Sequence, residues 1–438
     1  MKMSSKVFAD TLRYVFRRQL VALSCIPLTP IQVAFVEKDS VVHTTESPEI
    51  ENNAPWGLSR ISHRNGLTLG TVGKYLYSDD GGEGVDVYVI DTGTNVAHVD
   101  FEGRAHWGKT IPAGDPDEDG NGHGTHCSGT IAGKKYGVAK KANVYAVKVL
   151  KSNGSGSMSD VVKGVEWAAV RHADTVEAAK KGKNKKGFKG STANMSLGGG
   201  KSTTLDLAVN AAVEAGIHFA VAAGNDNADS CGYSPARAEN AVTVGASTIL
   251  DERAYFSNYG KCNDIFAPGL NIQSAWIGSE YATKKISGTS MASPHIAGLL
   301  AYFLSLQPPA ESGFAVAEIT PKQLKKSLIS IGTSGALTDV PKNTQNVRIP
   351  PHLESSILIS CLDPCVEWRR FFKRDRDLWA EASWCREHRT PNEGQRQVSI
   401  LHRIVVASFD SALHARSGGL KGYHGVSLDV QGNGCMVV

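Results

Sequence analysis

The sequence predicts an α/β protein whose parallel strands lie between covering helices. Short, mostly apolar runs such as Val85–Ile90 and Ile217–Ala222 alternate along the chain with longer segments of helical period. Strands that alternate with helices pair in parallel and bury both faces, so they read as near-continuous apolar runs. The composition agrees. Hydrophobic residues make up 41% of 438 and charged residues 21%, with 45 Gly and 17 Pro, which fits a loop-rich α/β domain rather than a disordered chain.

The same numbers exclude several functions. Lys and Arg total 47 against 43 Asp and Glu, and the resulting +4 is too small and too evenly spread to imply a nucleic-acid partner. No apolar run reaches the roughly 18–20 residues of a membrane span. The eight Cys form neither a disulfide scaffold nor zinc-type pairs.

Taken in order, residues 1–32 are unassigned. Arg17 and Arg18 precede a short apolar stretch, Leu20–Pro27, which resembles a secretory signal without its cleavage site. Val33–His43 is rich in β-formers and reads as an edge strand, and a polar linker follows to Asn53. A single α/β domain is expected over residues 54–345. Within it, Val85–Ile90 is a strand ending at Asp91, and Asn143–Leu150 is a second. Ser159 caps a helix through His172. Lys180–Lys189 is basic and reads as a surface loop. Ala193–Leu197 is a strand, Thr204 opens a helix that stops at Gly216, and Ile217–Ala222 is the next strand. Thr320-Pro321 opens a last helix, an N-cap followed by a proline that needs no N–H donor there. Residues 346–438 carry four Cys and three Trp with no sustained period, and are expected to be a tail outside the core.

Three segments carry chemistry. Val87–Gly93 places Asp91 at the carboxyl end of a buried parallel strand, where α/β folds gather ligands. Asn121–Thr130 contains His123 between glycines, which lets backbone approach closely. His126 three residues on could make a metal pair, but no third ligand is evident. The preceding Asp115–Gly120 imitates half a calcium loop, yet the twelfth position is His126, so an acidic solvent loop is expected. Ser287–Gly298 places Ser290 at the start of an apolar helix, with Pro294 expected in its first turn. Each has an ordinary structural reading alone: a strand-ending Asp, a packed His, an N-cap Ser. Together they supply a nucleophile, a base and a carboxylate to orient the base. In Val221–Asp226, Asn225 could aim its amide at a developing oxyanion.

These four segments resemble the subtilisin-like serine proteases, in their proteinase K and cerevisin branch of fungal vacuolar type. The resemblance covers about Pro55–Thr344. It implies a parallel sheet sandwiched between helices, with Val33–His43 as a remnant of an α+β inhibitory propeptide. It makes Asp91 the orienting carboxylate, His123 the general base and acid, Ser290 the nucleophile and Asn225 the oxyanion donor. Ser196, Leu197, Gly198 and Gly199 match the strand that pairs with extended substrate. Ala222, Ala223 and Gly224 match the specificity-pocket wall, where small residues imply broad, apolar-leaning specificity. Cys231 and Cys262 would form a disulfide, Cys127 a buried free thiol, and Asp264 a calcium ligand. The activity implied is serine endopeptidase, with no cofactor for the chemistry beyond a structural calcium. Its partners would be protein and peptide substrates and its own propeptide, without nucleic acid or membrane. The protein would be a monomer, vacuolar or secreted. The rival reading is a non-catalytic binding protein of the same fold, or a product of a faulty gene model that does not mature. Two sequons, Asn153-Gly154-Ser155 and Asn194-Met195-Ser196, are present, and the second is discounted because it falls on a strand.

Overall fold

A computed structural model of the chain describes residues 36–37, 49–181, 187–307, 319–349 and 436–437. The chain divides into two units, Met1–Thr44 with Glu381–Val438, and Thr45–Ala380. In the first, β1 (Val36–Glu37) pairs antiparallel with Met436–Val437. The rest of the expected Val33–His43 strand, the segment with Arg17 and Arg18, and the tail's other Cys and Trp lie outside the described residues.

The second unit runs β2 (Glu49–Asn52), α1 (Trp56–Ile61), β3 (Lys74–Tyr77), β4 (Val85–Asp91), β5 (Ala105–Thr110), α2 (His123–Ala132), β6 (Asn143–Lys148), α3 (Met158–Lys180), β7 (Gly190–Met195), β8 (Gly199–Gly200), α4 (Thr203–Glu214), β9 (His218–Ala222), β10 (Tyr233–Ser234), β11 (Val242–Ser247), β12 (Ile265–Pro268), β13 (Ile272–Ala275), β14 (Thr283–Ile286), α5 (Thr289–Ser305), α6 (Pro321–Ile331), β15 (Thr333–Ser334) and β16 (Val347–Arg348). Nine strands form one sheet in the order β15-β16-β12-β11-β9-β7-β4-β6-β5. All neighbours are parallel except β15 and β16 at one edge.

Side-chain alternation along β4 builds the two cores. Val85, Val87 and Val89 join one buried cluster with Ile131 of α2, Ile296 and Leu300 of α5, and Leu324 and Leu328 of α6. Tyr88 and Ile90 join the other, with Val161 and Val165 of α3 and Leu205 and Val209 of α4. Each such side chain contributes about 1.5–3 kcal/mol when fully buried. The expected layers, helix–sheet–helix, are therefore present.

Several boundaries differ from the sequence reading. The third helix is capped by Ser157, whose side chain accepts from Asp160 N at 3.1 Å, and it runs on to Lys180. Ser159 instead lies inside the first turn and shares a hydroxyl contact with Ser157 at 2.9 Å. The polar linker contains β2, which pairs antiparallel with β3 and carries Glu51 to Lys140 at 2.8 Å. The C-terminal boundary also moves. Asn346 clamps Leu337 through both backbone groups, at 3.2 and 2.8 Å. Val347, Arg348 and Ile349 are buried, and Ile349 N donates to Phe266 O at 3.0 Å. The core thus continues through Ile349, past the expected end at 345. The Thr320 N-cap and Pro321 at the helix start are as read, and Gln323 completes a capping box.

Candidate active site

Asp91 closes β4, Ser196 follows β7, and Asn225 follows β9, and these three strands are neighbours in the sheet. Asp91 is fully buried, and its Oδ1 accepts from Thr92 N at 2.8 Å and from His123 Nδ1 at 2.7 Å. His123 is the first residue of α2. The glycines around it are required. Gly122 caps the helix at φ 97°, where a Cβ would meet the Trp276 ring at 2.5 Å. A Cβ on Gly124 would stand 2.1 Å from Gly93 O, so only glycine lets α2 approach the Asp91 turn.

The two histidines of this helix have opposite fates. His126 donates Nε2 to Ile272 O at 3.0 Å and Lys284 O at 3.2 Å, and burial pulls its pKa down to about 4. It therefore faces backbone carbonyls of the β13–β14 hairpin and forms no metal pair with His123. Burial would also depress His123, but the charge and hydrogen bond of Asp91, reinforced by the charge of Asp119, hold it above the usual imidazole range.

Asp119 was not visible as a site residue. The acidic loop read as solvent-facing, yet Asp119 is buried. Its Oδ1 accepts from Thr92 Oγ1 at 2.9 Å, Asn121 N at 3.1 Å and Gly122 N at 2.9 Å. Its Oδ2 accepts from Thr125 N at 2.9 Å and Thr125 Oγ1 at 2.6 Å. One carboxylate thus ties the residue after Asp91 to both sides of His123. Asp115 in the same loop pairs with Lys148 at 2.9 Å, a lysine with no exposed side-chain surface.

Ser290 is the second residue of α5, whose N-cap is Gly288. Its hydroxyl donates to Ser196 O at 3.1 Å rather than to His123. A nucleophile–base bond of this kind often tightens only when substrate binds. Pro294 lies in the second turn, not the first, and so lacks the N–H that would have bonded Ser290 O. That freed carbonyl accepts from Ser196 Oγ at 2.8 Å and from the buried Cys127 thiol at 3.4 Å. Asn194 Nδ2 donates to Ser196 Oγ at 2.9 Å, and Ser293 Oγ donates to Asn194 Oδ1 at 2.8 Å. The proline therefore lets the Ser290 backbone dock on the segment after β7. Asn194 is wholly buried, with its amide engaged at both ends, which removes the second sequon.

The Asn225 amide is oriented by its oxygen. Oδ1 accepts from Thr289 N at 2.8 Å and Thr289 Oγ1 at 2.9 Å, which leaves Nδ2 to face outward. A Cβ built on Gly288 would lie 3.5 Å from Ser290 N and 3.6 Å from Asn225 Nδ2. Asn225 Nδ2 and Ser290 N thus both border the space that a side chain at 288 would fill. Thr289 Oγ1 also accepts from Gly224 N at 3.1 Å, and Asn258 Nδ2 donates to Ala223 O at 3.0 Å. The Ala222–Gly224 segment is pinned at the end of β9 by these bonds.

A cleft of about 470 Å³ opens beside His123 and is bordered by Ser196–Gly199. Leu150, Met158, Val161, Leu197 and Leu205 give it an apolar floor. The expected pocket wall Ala222–Gly224 is not among its lining residues. The loop with Asn153 forms part of its rim through Gly154–Gly156. Cys231 and Cys262 are bonded, with Cα atoms 5.3 Å apart. Asp264 does not fit a calcium site. Its Oδ2 accepts from Thr243 N and also from the Lys325 ammonium, both at 2.8 Å, so a cation already occupies that oxygen.

Residues 82–345 match the model of the subtilase family. The chain belongs to the subtilase family. This subtilase is 79% identical over 317 residues to the subtilisin-like serine protease Cur l 4.0101 of Cochliobolus lunatus, covering 72% of this chain and 62% of that protein. It is 76% identical over 315 residues to Pen c 2 of Penicillium citrinum, covering 72% and 69%. Identity to alkaline protease 2 of Aspergillus fumigatus is 73% over 315 residues, covering 72% and 63%. The subtilase thus spans about six tenths of the length of several of these relatives. Its fold matches the crystal structure of a cold adapted subtilisin-like serine proteinase with a TM-score of 0.59 at 44% identity, over 68% of this chain and 99% of that one.

Proposed function

We propose that this subtilase is a serine endopeptidase acting through an acyl-enzyme. The observation that carries the reading is the Asp91–His123 pair at 2.7 Å, on a helix whose Cys127 thiol reaches Ser290 O, together with Asn225 Nδ2 and Ser290 N lying close to one point beside Gly288. Rotation of the Ser290 hydroxyl from Ser196 O toward Nε2 of His123 starts the reaction. His123 takes the hydroxyl proton as Oγ attacks the scissile carbonyl, and Asp91 stabilises the imidazolium without becoming protonated. The two amide donors hold the oxyanion, where preorganised donors stabilise charge that exists only in the transition state. His123 then protonates the leaving amine, and water attacks the acyl group by the same route in reverse.

Substrate lies extended along Ser196–Gly199, with main-chain bonds giving affinity and the apolar floor favouring apolar side chains. Specificity is broad for that reason. The Cys231–Cys262 bond supports an oxidising route, vacuolar or secreted. Among the described residues no helix is long and apolar enough to cross a membrane. The relatives' names, subtilisin-like serine proteases, support the same activity. A non-catalytic role has no feature in its favour, since all four side chains are present and the Asp91–His123 pair is formed.

A serine-directed fluorophosphonate probe tests the reading. The protein should be labelled once, at Ser290, and labelling should disappear in Ser290→Ala and fade in His123→Ala. Labelling that survives Ser290→Ala overturns it.

A further inference from the structure

Lys325 reaches from α6 into a cluster of oxygens contributed by two other segments. Its Nζ donates to Glu239 O at 2.9 Å, to Ala241 O at 2.6 Å and to Asp264 Oδ2 at 2.8 Å. Glu239 and Ala241 lie in the turn before β11, and Asp264 lies just before β12. An ammonium has three N–H donors and no acceptor, so these three oxygens use its full capacity. The lysine and aspartate side chains keep only 18% and 19% of their surface exposed.

Two backbone carbonyls and one carboxylate, from separate loops and facing one point, are the ligand types a hard divalent cation takes. Here that point is filled. A divalent ion would have to share it with a fixed positive charge, and the single carboxylate is already neutralised. We infer that Lys325 is a tethered cation in an oxygen cage, and that the cage becomes a divalent-cation site only when the ammonium is withdrawn. The tethered charge ties α6 to the entries of β11 and β12. Its contribution cannot be diluted away, whereas a bound ion stabilises only in proportion to the logarithm of its free concentration over its dissociation constant. The inference stands apart from the proposed activity and does not depend on it.

The test uses the full disulfide-bonded chain carrying Ser290→Ala, so that self-digestion cannot obscure the melt. With Lys325 intact, chelator and millimolar calcium should leave Tm unchanged, and terbium luminescence should show no binding that Asp264→Asn abolishes. Lys325→Ala should lower Tm by at least about 2–4 °C. Calcium should restore part of that loss, and terbium should now bind. Lys325→Met, which keeps the aliphatic stem and its packing, serves if the alanine variant fails to fold. Adding Asp264→Asn to either variant should remove the rescue and the terbium signal together. Asp264-dependent terbium binding in the chain with Lys325 intact overturns the inference. So does a lysine-free variant that binds no cation.

Discussion

Two buried charged corners of this protein are built on opposite imbalances. Around His123, carboxylates outnumber the base: Asp91 accepts a hydrogen bond from its Nδ1 and Asp119 braces the same turn. At the antiparallel edge of the sheet, cations outnumber the acid. Arg60 makes a paired contact with Asp251 at 2.7 Å for each bond, while Arg348 Nε stands 3.8 Å from the same carboxylate. Both arginine side chains are 1% exposed. The excess of carboxylate holds the His123 proton more tightly. Burial and the Arg60 charge instead pull Arg348 down to about 10. The first imbalance prepares a base for transfer. The second welds α1 to β16 by a network whose only acid among these three residues is Asp251.

If this contrast is right, substitutions at the first corner change rate and those at the second change stability. Ser290→Ala should cost on the order of a million-fold in kcat, the scale known for subtilisin rather than one derived for this chain. Its melting temperature should stay near the parent's. A variant that keeps more than a few per cent of the activity breaks the catalytic half of the contrast.

Asp251→Asn should do the reverse. Removing the partner of two buried guanidiniums costs about 3–5 kcal/mol of stability. At temperatures where the variant remains folded, kcat should be unaltered. A melt that does not move would mean that Arg60 and Arg348 are satisfied without Asp251.

Asn225→Ala should lower kcat by about 10²–10³, again the subtilisin scale, with KM little changed. A rise in KM alone would place the amide in ground-state binding and blur the distinction between the corners.

Asp119→Asn gives the smallest effect and the sharpest one. His123 must be neutral to act as a base, and Asp119 contributes to holding its pKa above the usual 6.5. Losing that charge should move the acid limb of kcat/KM to lower pH. The sign follows because a base that sheds its proton more easily is ready in more acidic solution. A limb that stays in place would show that Asp119 acts only by anchoring the turn. Stability carries the matching signature. The part contributed by the raised His123 is present in full below the unfolded pKa and is lost as pH rises through the folded one.

The candidate site around His123 was legible because local constraints write it. Gly122 and Gly124 are forced by Trp276 and Gly93, so the small residues around His123 stand in the sequence itself. Val85–Ile90 was legible because both faces of β4 are buried, which keeps the run apolar at every position but Asp86. Asp119 was not, because an acidic run reads as solvent-facing until the fold sets Thr92 against it. Val347–Ile349 was missed for a similar reason. A strand of two residues has no period to detect, and its partners lie at Phe266 and Thr333. Asp264 could be placed by resemblance, but the ammonium that meets it comes from a helix some sixty residues later. The Ser157 cap was missed by two positions because Ser159 has the same chemistry.

The order β9-β7-β4 also sets a gauge. Asn225 leaves the first of these strands, Ser196 the second and Asp91 the third. Neighbouring strands stand about 4.8 Å apart, so the chain leads to Asn225 and to Asp91 from strand ends roughly 10 Å from each other, across one intervening strand. That length is two strand spacings, each held by the sheet's peptide hydrogen bonds, and no side-chain replacement in the strands can stretch it. Loops may be rewritten around such a scale bar without recalibrating it, whereas a bulge in β7 would.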